Sequence, residues 1–157
     1  MITANGAEIL VKARICKQTI QADTLTDING EANTQIILES SVDYTSYGAS
    51  SNKGGVRLVY GGGDTAESAG DTALADPLGV FNVNGSANYS AGKYVVTATA
   101  VNSAGAAITV KEIGLLFEMI ASFGQSFLAV RQLVPPRVVE HGETFTYSMA
   151  INFKGAE

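Results

Sequence analysis

The stretch Thr144-Phe145-Thr146-Tyr147-Ser148-Met149-Ala150-Ile151-Asn152-Phe153 alternates without a break. Phe145, Tyr147, Met149, Ile151 and Phe153 fall on one face. Thr144, Thr146, Ser148, Ala150 and Asn152 fall on the other. Side chains in an extended strand point alternately to opposite sides, so this period of two predicts a half-buried β-strand. His141-Gly142-Glu143, just upstream, reads as its entry turn.

Working backwards, residues 126–134 form a second predicted strand. It is expected to end at Pro135-Pro136, because proline cannot donate to a ladder. Residues 108–118 form a third, with 122–125 as the hairpin turn between the two. Residues 94–101, rich in Val, Thr and Tyr, form a fourth, joined to the third by the turn at 102–105. The expectation is a four-strand antiparallel run over 94–153.

The N-terminal half is less periodic. Residues 34–42 and 56–60 are strand candidates, and 44–55 reads as a loop. Gly61-Gly62-Gly63 opens a long loop through Asp76, in which Asp71 is expected to cap one helical turn over 71–75. Asn5-Gly6-Ala7-Glu8 resembles a capping box, and Ile9, Leu10 and Ala13 fit a helix face. Ile9, Val11, Ala13 and Ile15 also alternate with their neighbours, so a strand competes with the helix there. The expected fold is mainly β: a single antiparallel β-sandwich or jelly-roll-like domain over 1–157, with a short N-terminal helix and long Gly-rich loops.

Composition narrows the function. The 157 residues suit one domain with its own core. Net charge is −5, from 10 Lys and Arg against 15 Asp and Glu, and no basic block stands out. Such a chain is a poor nucleic-acid binder, because that affinity rests on neutralised phosphates. The N-terminus lacks the basic and apolar regions of a secretion signal, and no apolar run is long enough to span a membrane. The lone Cys16 cannot form an internal disulfide and reads as a small packed residue. Charged residues make up only 16% of the chain. That is too few to cover a small domain well, so partner chains are expected to cover part of it.

Several chemistries lack their key residues. Gly61-Gly62-Gly63-Asp64 has no phosphate-binding lysine. Asp64, Glu67, Asp71 and Asp76 are calcium candidates only if their loop folds back, and their spacing is not that of an EF-hand. One Cys and one His do not make a zinc site. His141 sits in a turn and reads as a turn residue rather than a base. No carboxylate pair stands out for glycoside cleavage. Asn84-Gly85-Ser86 and Asn88-Tyr89-Ser90 match glycosylation acceptors but, without a secretion signal, read as turns. No catalytic, cofactor-binding or metal-binding residue is assigned.

Four stretches carry a resemblance. They are Val59-Tyr60-Gly61-Gly62-Gly63-Asp64-Thr65-Ala66 with Gly70-Asp71-Thr72-Ala73-Leu74; Val110-Lys111-Glu112-Ile113-Gly114-Leu115; Leu128-Ala129-Val130-Arg131 through Pro135-Pro136 to Gly142-Glu143-Thr144-Phe145; and Ile2-Thr3-Ala4-Asn5-Gly6-Ala7-Glu8-Ile9-Leu10. Taken in chain order, with Ile2–Leu10 first, they resemble structural proteins of tailed-phage particles, the Ile2–Leu10 stretch resembling tail-collar and fibre-attachment proteins. Residues 17–55 resemble nothing in that family. The resemblance implies a non-enzymatic virion subunit, assembled in the host cytoplasm from copies of itself and other virion proteins, without nucleic acid, membrane or cofactor.

Two physical expectations accompany it. Glu112 and Arg131, on neighbouring predicted strands, either pair across the ladder or stand as two independent surface charges. Leu116 lies opposite Leu115 and Phe117, and Val110 opposite Ile113, so both faces of that strand need cover. The second face is expected to meet another subunit, with Val110, Glu112, Leu116, Arg131, Tyr47 and Tyr60 as interface candidates. Residues 56–60, if an edge strand, are placed to be completed by a partner. A competing reading is a glycan- or receptor-binding module on a host surface, with Tyr44, Tyr47, Tyr60 and Tyr89 stacking on sugars. A hydrolase is a third, more distant reading.

Overall fold

The structure is a computed structural model and describes residues 1–7, 25–31, 42–48, 54–81, 83–118 and 126–152. The expected turn at 122–125, most of the expected strand at 34–42, Cys16 and everything past Ala7 in the first segment lie outside the described residues.

Among the described residues the protein is mainly β, with two sheets and one short N-terminal helix. The strands are β1 (Val42–Tyr47), β2 (Gly54–Gly61), β3 (Pro77–Val80), β4 (Val83–Ser90), β5 (Lys93–Val101), β6 (Ile108–Glu118), β7 (Ser126–Val139) and β8 (Thr144–Asn152). Among the described residues, the larger sheet runs β1-β2-β6-β7, with β3 continuing along β2 beyond β1. The smaller sheet runs β4-β5-β8. Pairing is antiparallel except for β1 with β2.

Alternation explains the core. In β8, Phe145, Met149 and Ile151 are buried while Thr144, Thr146, Ser148, Ala150 and Asn152 are exposed. β5 buries Tyr94, Val96, Ala98 and Ala100 against them. From the larger sheet, Val56, Leu58, Tyr60, Ile113, Leu115, Phe117 and Phe127 meet these side chains in one sandwich core. Tyr60, Phe81 and Phe145 pack edge to face, with centroids 4.9–5.3 Å apart, the arrangement that aromatic quadrupoles favour.

Several expectations are corrected. Residues 94–153 do not form one consecutive run, because β5 pairs with β8 across the full length of both while β6 pairs with β7 and β2. The chain changes sheet at the turns 102–107 and 140–143, where Asn102 ties the two turns together. Its backbone N–H donates to Glu143 O, and its side-chain amide donates to Ala106 O and Val139 O. β7 runs through Pro135 and Pro136 instead of stopping before them. It is an edge strand among the described residues, and its register with β6 shifts between Val110 and Glu112, so the missing N–H groups cost no ladder bond. That shift also breaks the alternation and returns Val110 to the core it shares with Ile113.

β2 is interior, flanked by β6 on one side and by β1 and β3 on the other, so no partner completes it. β1 takes up part of the expected loop at 44–55. β3 and β4 occupy residues read as loop and turns. Asp71 caps no helix. The short helix α1 (Ala4–Gly6) is capped by Thr3, whose Oγ1 accepts from the Gly6 N–H at 3.0 Å. Asn5 instead bonds the backbone of Thr26 in both directions.

The first residues dock on β7. Ile2 bridges Val130 in antiparallel fashion, and Thr3 N–H donates to Ala129 O at 2.9 Å. Ala129 is the extra residue where the β6–β7 register shifts between Leu115 and Leu116. A bulge there turns a carbonyl outward for Thr3 to use.

Candidate functional site

The outer face of the larger sheet carries Val59, Gly61, Glu112, Gly114, Leu116, Leu128 and Arg131, as the pairing of β2, β6 and β7 dictates. Residues 62–76 cross this face as a strap. Gly62 N–H donates to Asp76 O at 2.9 Å and ties the strap's ends together. Leu74 drops from the strap onto Val59, Leu116 and Leu128 and completes a second, smaller apolar cluster.

A buried polar clamp fixes the strap. Arg131 stands opposite Gly114 on β6, and Glu112 lies two residues further along the same face. Both are almost fully buried. Arg131 Nε donates to Glu112 Oε2 at 2.7 Å. Its Nη1 donates to Asp71 Oδ2 at 3.0 Å and Ala66 O at 3.2 Å, and its Nη2 donates to Thr65 O at 2.9 Å and Thr65 Oγ1 at 3.1 Å. A guanidinium has five N–H donors, and all are used. Glu112 Oε1 accepts from Gly63 N–H at 3.1 Å and Asp76 N–H at 2.8 Å, and Oε2 also accepts from Ala75 N–H at 3.1 Å. Each carboxylate oxygen therefore holds two donors.

Glycine makes room for this. A Cβ on Gly61 would lie 2.5 Å from Glu112 Oε1, and one on Gly63 2.6 Å from the same atom. Burial by itself would raise the Glu112 pKa. The Asp76 N–H, the Arg131 guanidinium and the Ala75 N–H outweigh it and hold the carboxyl below its ordinary value. Burial likewise pulls Arg131 down, while Glu112 and Asp71 pull it up and prevail.

Chemically this is a fastener. A general acid or base needs a lone pair or proton facing a reactant, and these groups spend theirs on the strap. Three of the four calcium candidates point to separate partners. Asp64 pairs with Lys111 at 3.1 Å, Glu67 Oε1 accepts from Leu133 N–H at 2.6 Å, and Asp71 serves Arg131 and the Ser68 N–H. No His, Cys, Asp and Glu grouping among the described residues suits a metal ion. His141 Nδ1 accepts from Gly105 N–H at 3.2 Å and so links the two turns.

Of the interface candidates, Val110, Glu112, Leu116, Arg131 and Tyr60 are buried by the chain itself. The second face of β6 is covered by the protein's own strap, which corrects the expectation that another subunit covers it. Tyr47 is half-buried. Its ring lies over Gly85, its hydroxyl donates to Phe81 O, and the same hydroxyl accepts from Leu58 N–H at 3.1 Å. Burial pushes its phenol up to about 12, against the opposing effects of the Leu58 N–H and Arg57. Neither Tyr47 nor Tyr60 presents a stacking face to a sugar. Of the two readings that the strands of Glu112 and Arg131 allowed, the structure shows the pair. The part of Asp71 was not legible, because it depends on where an aperiodic loop travels.

The strap leaves one side of the outer face open. A groove of about 420 Å³ runs beside β3, lined by Ile28, Val59, Leu74, Leu78, Val80 and Leu116 among others, with Asn29 its polar side chain.

No family model matches the chain, and neither a curated protein nor a solved structure does. Among the described residues, no helix is long and apolar enough to cross a membrane.

Proposed function

We propose that this chain is a non-enzymatic structural subunit of a tailed-phage particle, assembling with copies of itself and with adjoining virion proteins. The observation that carries the reading is spatial. Three of the four stretches that resemble phage structural proteins are far apart in sequence, yet they converge on the clamp. Gly61, Gly63, Asp71 and Leu74 come from the first, Glu112 and Gly114 from the second, and Arg131 from the third. The fourth docks on β7 beside it through Ile2 and Thr3. Segments that resemble one family and together build one fastener suit a scaffold unit.

The polar residues of that unit are used up in holding the strap, which suits a protein whose work is shape. Ile28, Leu78, Val80, Val101, Leu133 and Val138 remain exposed, and such apolar area is what assembly buries. Immunogold labelling and mass spectrometry of particles released from the producing culture test the reading. The expected result is the protein at one discrete position on the particle. Its recovery only in the soluble lysate, never with particles, would overturn it.

A further inference from the structure

We propose that the groove beside β3 receives the exposed β7 ridge of a second copy of this chain, so that copies join head to tail. The inference rests on the assembly reading above and names the two surfaces that would carry it. The groove is concave and apolar, and its rim residues Ile28, Leu78 and Val80 are 37%, 41% and 42% exposed. The ridge is the distal half of β7. There Leu133 is 36% exposed and Val138 57%, and Pro135 and Pro136 are exposed between them.

Among the described residues, the two features lie on opposite edges of one sheet, with β2 and β6 between them. At ~4.8 Å per strand, roughly 14 Å separates β3 from β7, so a ridge cannot enter the groove of its own chain. Only another copy brings them together. Charge selects the same occupant. A charged group entering an uncharged groove would lose its water without gaining a partner, and the ridge side chains that would enter are uncharged. Its one cation, Arg137, makes only a 3.5 Å contact with Glu143. Asp76, exposed and next in the chain to the groove-lining Pro77, offers it a carboxylate. Copies of net charge −5 repel one another in general, so a contact that sets Arg137 against Asp76 is favoured over others.

Pro135 and Pro136 have no N–H to lend a neighbouring strand. The ridge therefore inserts side chains and does not extend the ladder. A groove of this volume takes a few side chains, so a single contact falls below standard interface size and is weak alone. Head-to-tail contacts close into rings or run on as filaments, where such contacts add.

Two variants and their mixture test the proposal. Leu78→Asp spoils the groove, and Val138→Asp spoils the ridge. Both positions are exposed, and thermal melts check that each variant stays folded. By sedimentation equilibrium up to about 1 mM, the weak end of the affinity scale, the wild type is expected to associate. Each variant is expected to lose at least about tenfold in association constant, equivalent to 1.4 kcal/mol. An equimolar mixture still contains one intact groove and one intact ridge, so it should form a one-to-one dimer and nothing larger. Misfolding cannot mimic that recovery. A wild type that associates while the variants do so equally well, or a mixture that stays monomeric, overturns the ridge-in-groove contact and leaves the assembly reading standing. A wild type that stays monomeric throughout overturns the contact and removes self-assembly from the assembly reading, whose placement in the particle is tested separately by the labelling.

Discussion

Arg131 stands directly across from Gly114, and its guanidinium reaches along the sheet to Glu112 at 2.7 Å. The pair is diagonal on the ladder and closed off from water by the chain's own strap. A buried ion pair is not by itself a strong source of stability, since desolvation offsets much of the attraction. Here its value lies in what else it holds. Among the described residues, three strap N–H groups and two strap carbonyls find their partners in this pair.

Glu112→Gln should therefore be costly. The amide brings two donors into a pocket already full of donors and leaves Arg131 short of a counter-charge. Breaking one side of a buried pair typically costs about 3–5 kcal/mol. At roughly 2–4 °C per kcal/mol for a chain of this size, the melting temperature should fall by about 6–20 °C. Arg131→Met should do similar damage. Because either change alone frees the strap, the double variant should be little worse than the poorer single. Differential scanning calorimetry of the three variants checks both statements, and additive losses would mean that the strap is held by something else.

Acid should loosen the same region. Glu112 is held below its ordinary pKa when folded, so near that value the unfolded chain binds more protons than the folded one. Stability then rises with pH. The contribution is complete above the ordinary value of 4.5 and is lost as pH falls through the lower folded value. Urea midpoints measured from pH 6 down to pH 3 should decline on the acid side. In Glu112→Gln the decline should be shallower, since the titrating group is gone. Equal slopes in the two proteins would assign the acid sensitivity to other carboxylates.

What the sequence makes legible here follows from periodicity. β6 matches its expected bounds, and β8 matches from Thr144 to Asn152, where the described residues end. Both are long runs with one face of Phe, Ile, Leu or Met and a turn at the entry. β3 and β4 escape notice because Leu78-Gly79-Val80 is short, and Asn84-Gly85-Ser86 carries turn residues inside a strand. Period also reveals which face a residue takes but not which strand lies alongside it, so the pairing of β5 with β8 was hidden. The clamp divides in the same way. Glu112 and Arg131 belong to periodic strands. Thr65, Ala66 and Asp71 belong to a strap whose path is set by packing Leu74, which no local pattern encodes.

Two glycines under the strap should differ in their tolerance of alanine. At Gly114 a new Cβ would meet side-chain atoms, Leu128 Cδ1 at 2.8 Å, Leu74 Cδ2 at 3.0 Å and Val59 Cγ2 at 3.1 Å. Those ends can swing aside, so the cost should sit near the low end of the about 1–3 kcal/mol typical of overpacking. At Gly61 the Cβ would meet Glu112 Oε1 at 2.5 Å and the backbone oxygen of Asp76 at 2.6 Å. Neither can retreat without breaking the clamp. Gly61→Ala should be the more destabilising of the two in urea titrations. It should also speed amide exchange at Gly63, Ala75 and Asp76, which Gly114→Ala should leave largely protected. The reverse order would show that packing under Leu74, not the clamp, holds the strap down.

The hairpin joining β4 to β5 offers a stabilising change. Ser90 pairs with Lys93, so Ala91 and Gly92 form a two-residue loop, with φ of 51° and 74°. Positive φ at both positions is what a type I′ turn demands, and that turn matches the twist of the strands it joins. Glycine meets the demand at no steric cost, but an alanine held left-handed costs roughly 1–2 kcal/mol through its Cβ and the neighbouring carbonyl. Asparagine tolerates the region far better, and Asn-Gly is the preferred pair for this turn. Ala91→Asn should therefore recover about 0.5–1 kcal/mol, a part of that strain. The loop belongs to the smaller sheet, whereas the clamp, the groove and the ridge are built on the larger one, so the gain should appear in thermal and urea unfolding without altering self-association. A loss of stability on this change would mean that the turn is held in some other form, with Ala91 no longer left-handed.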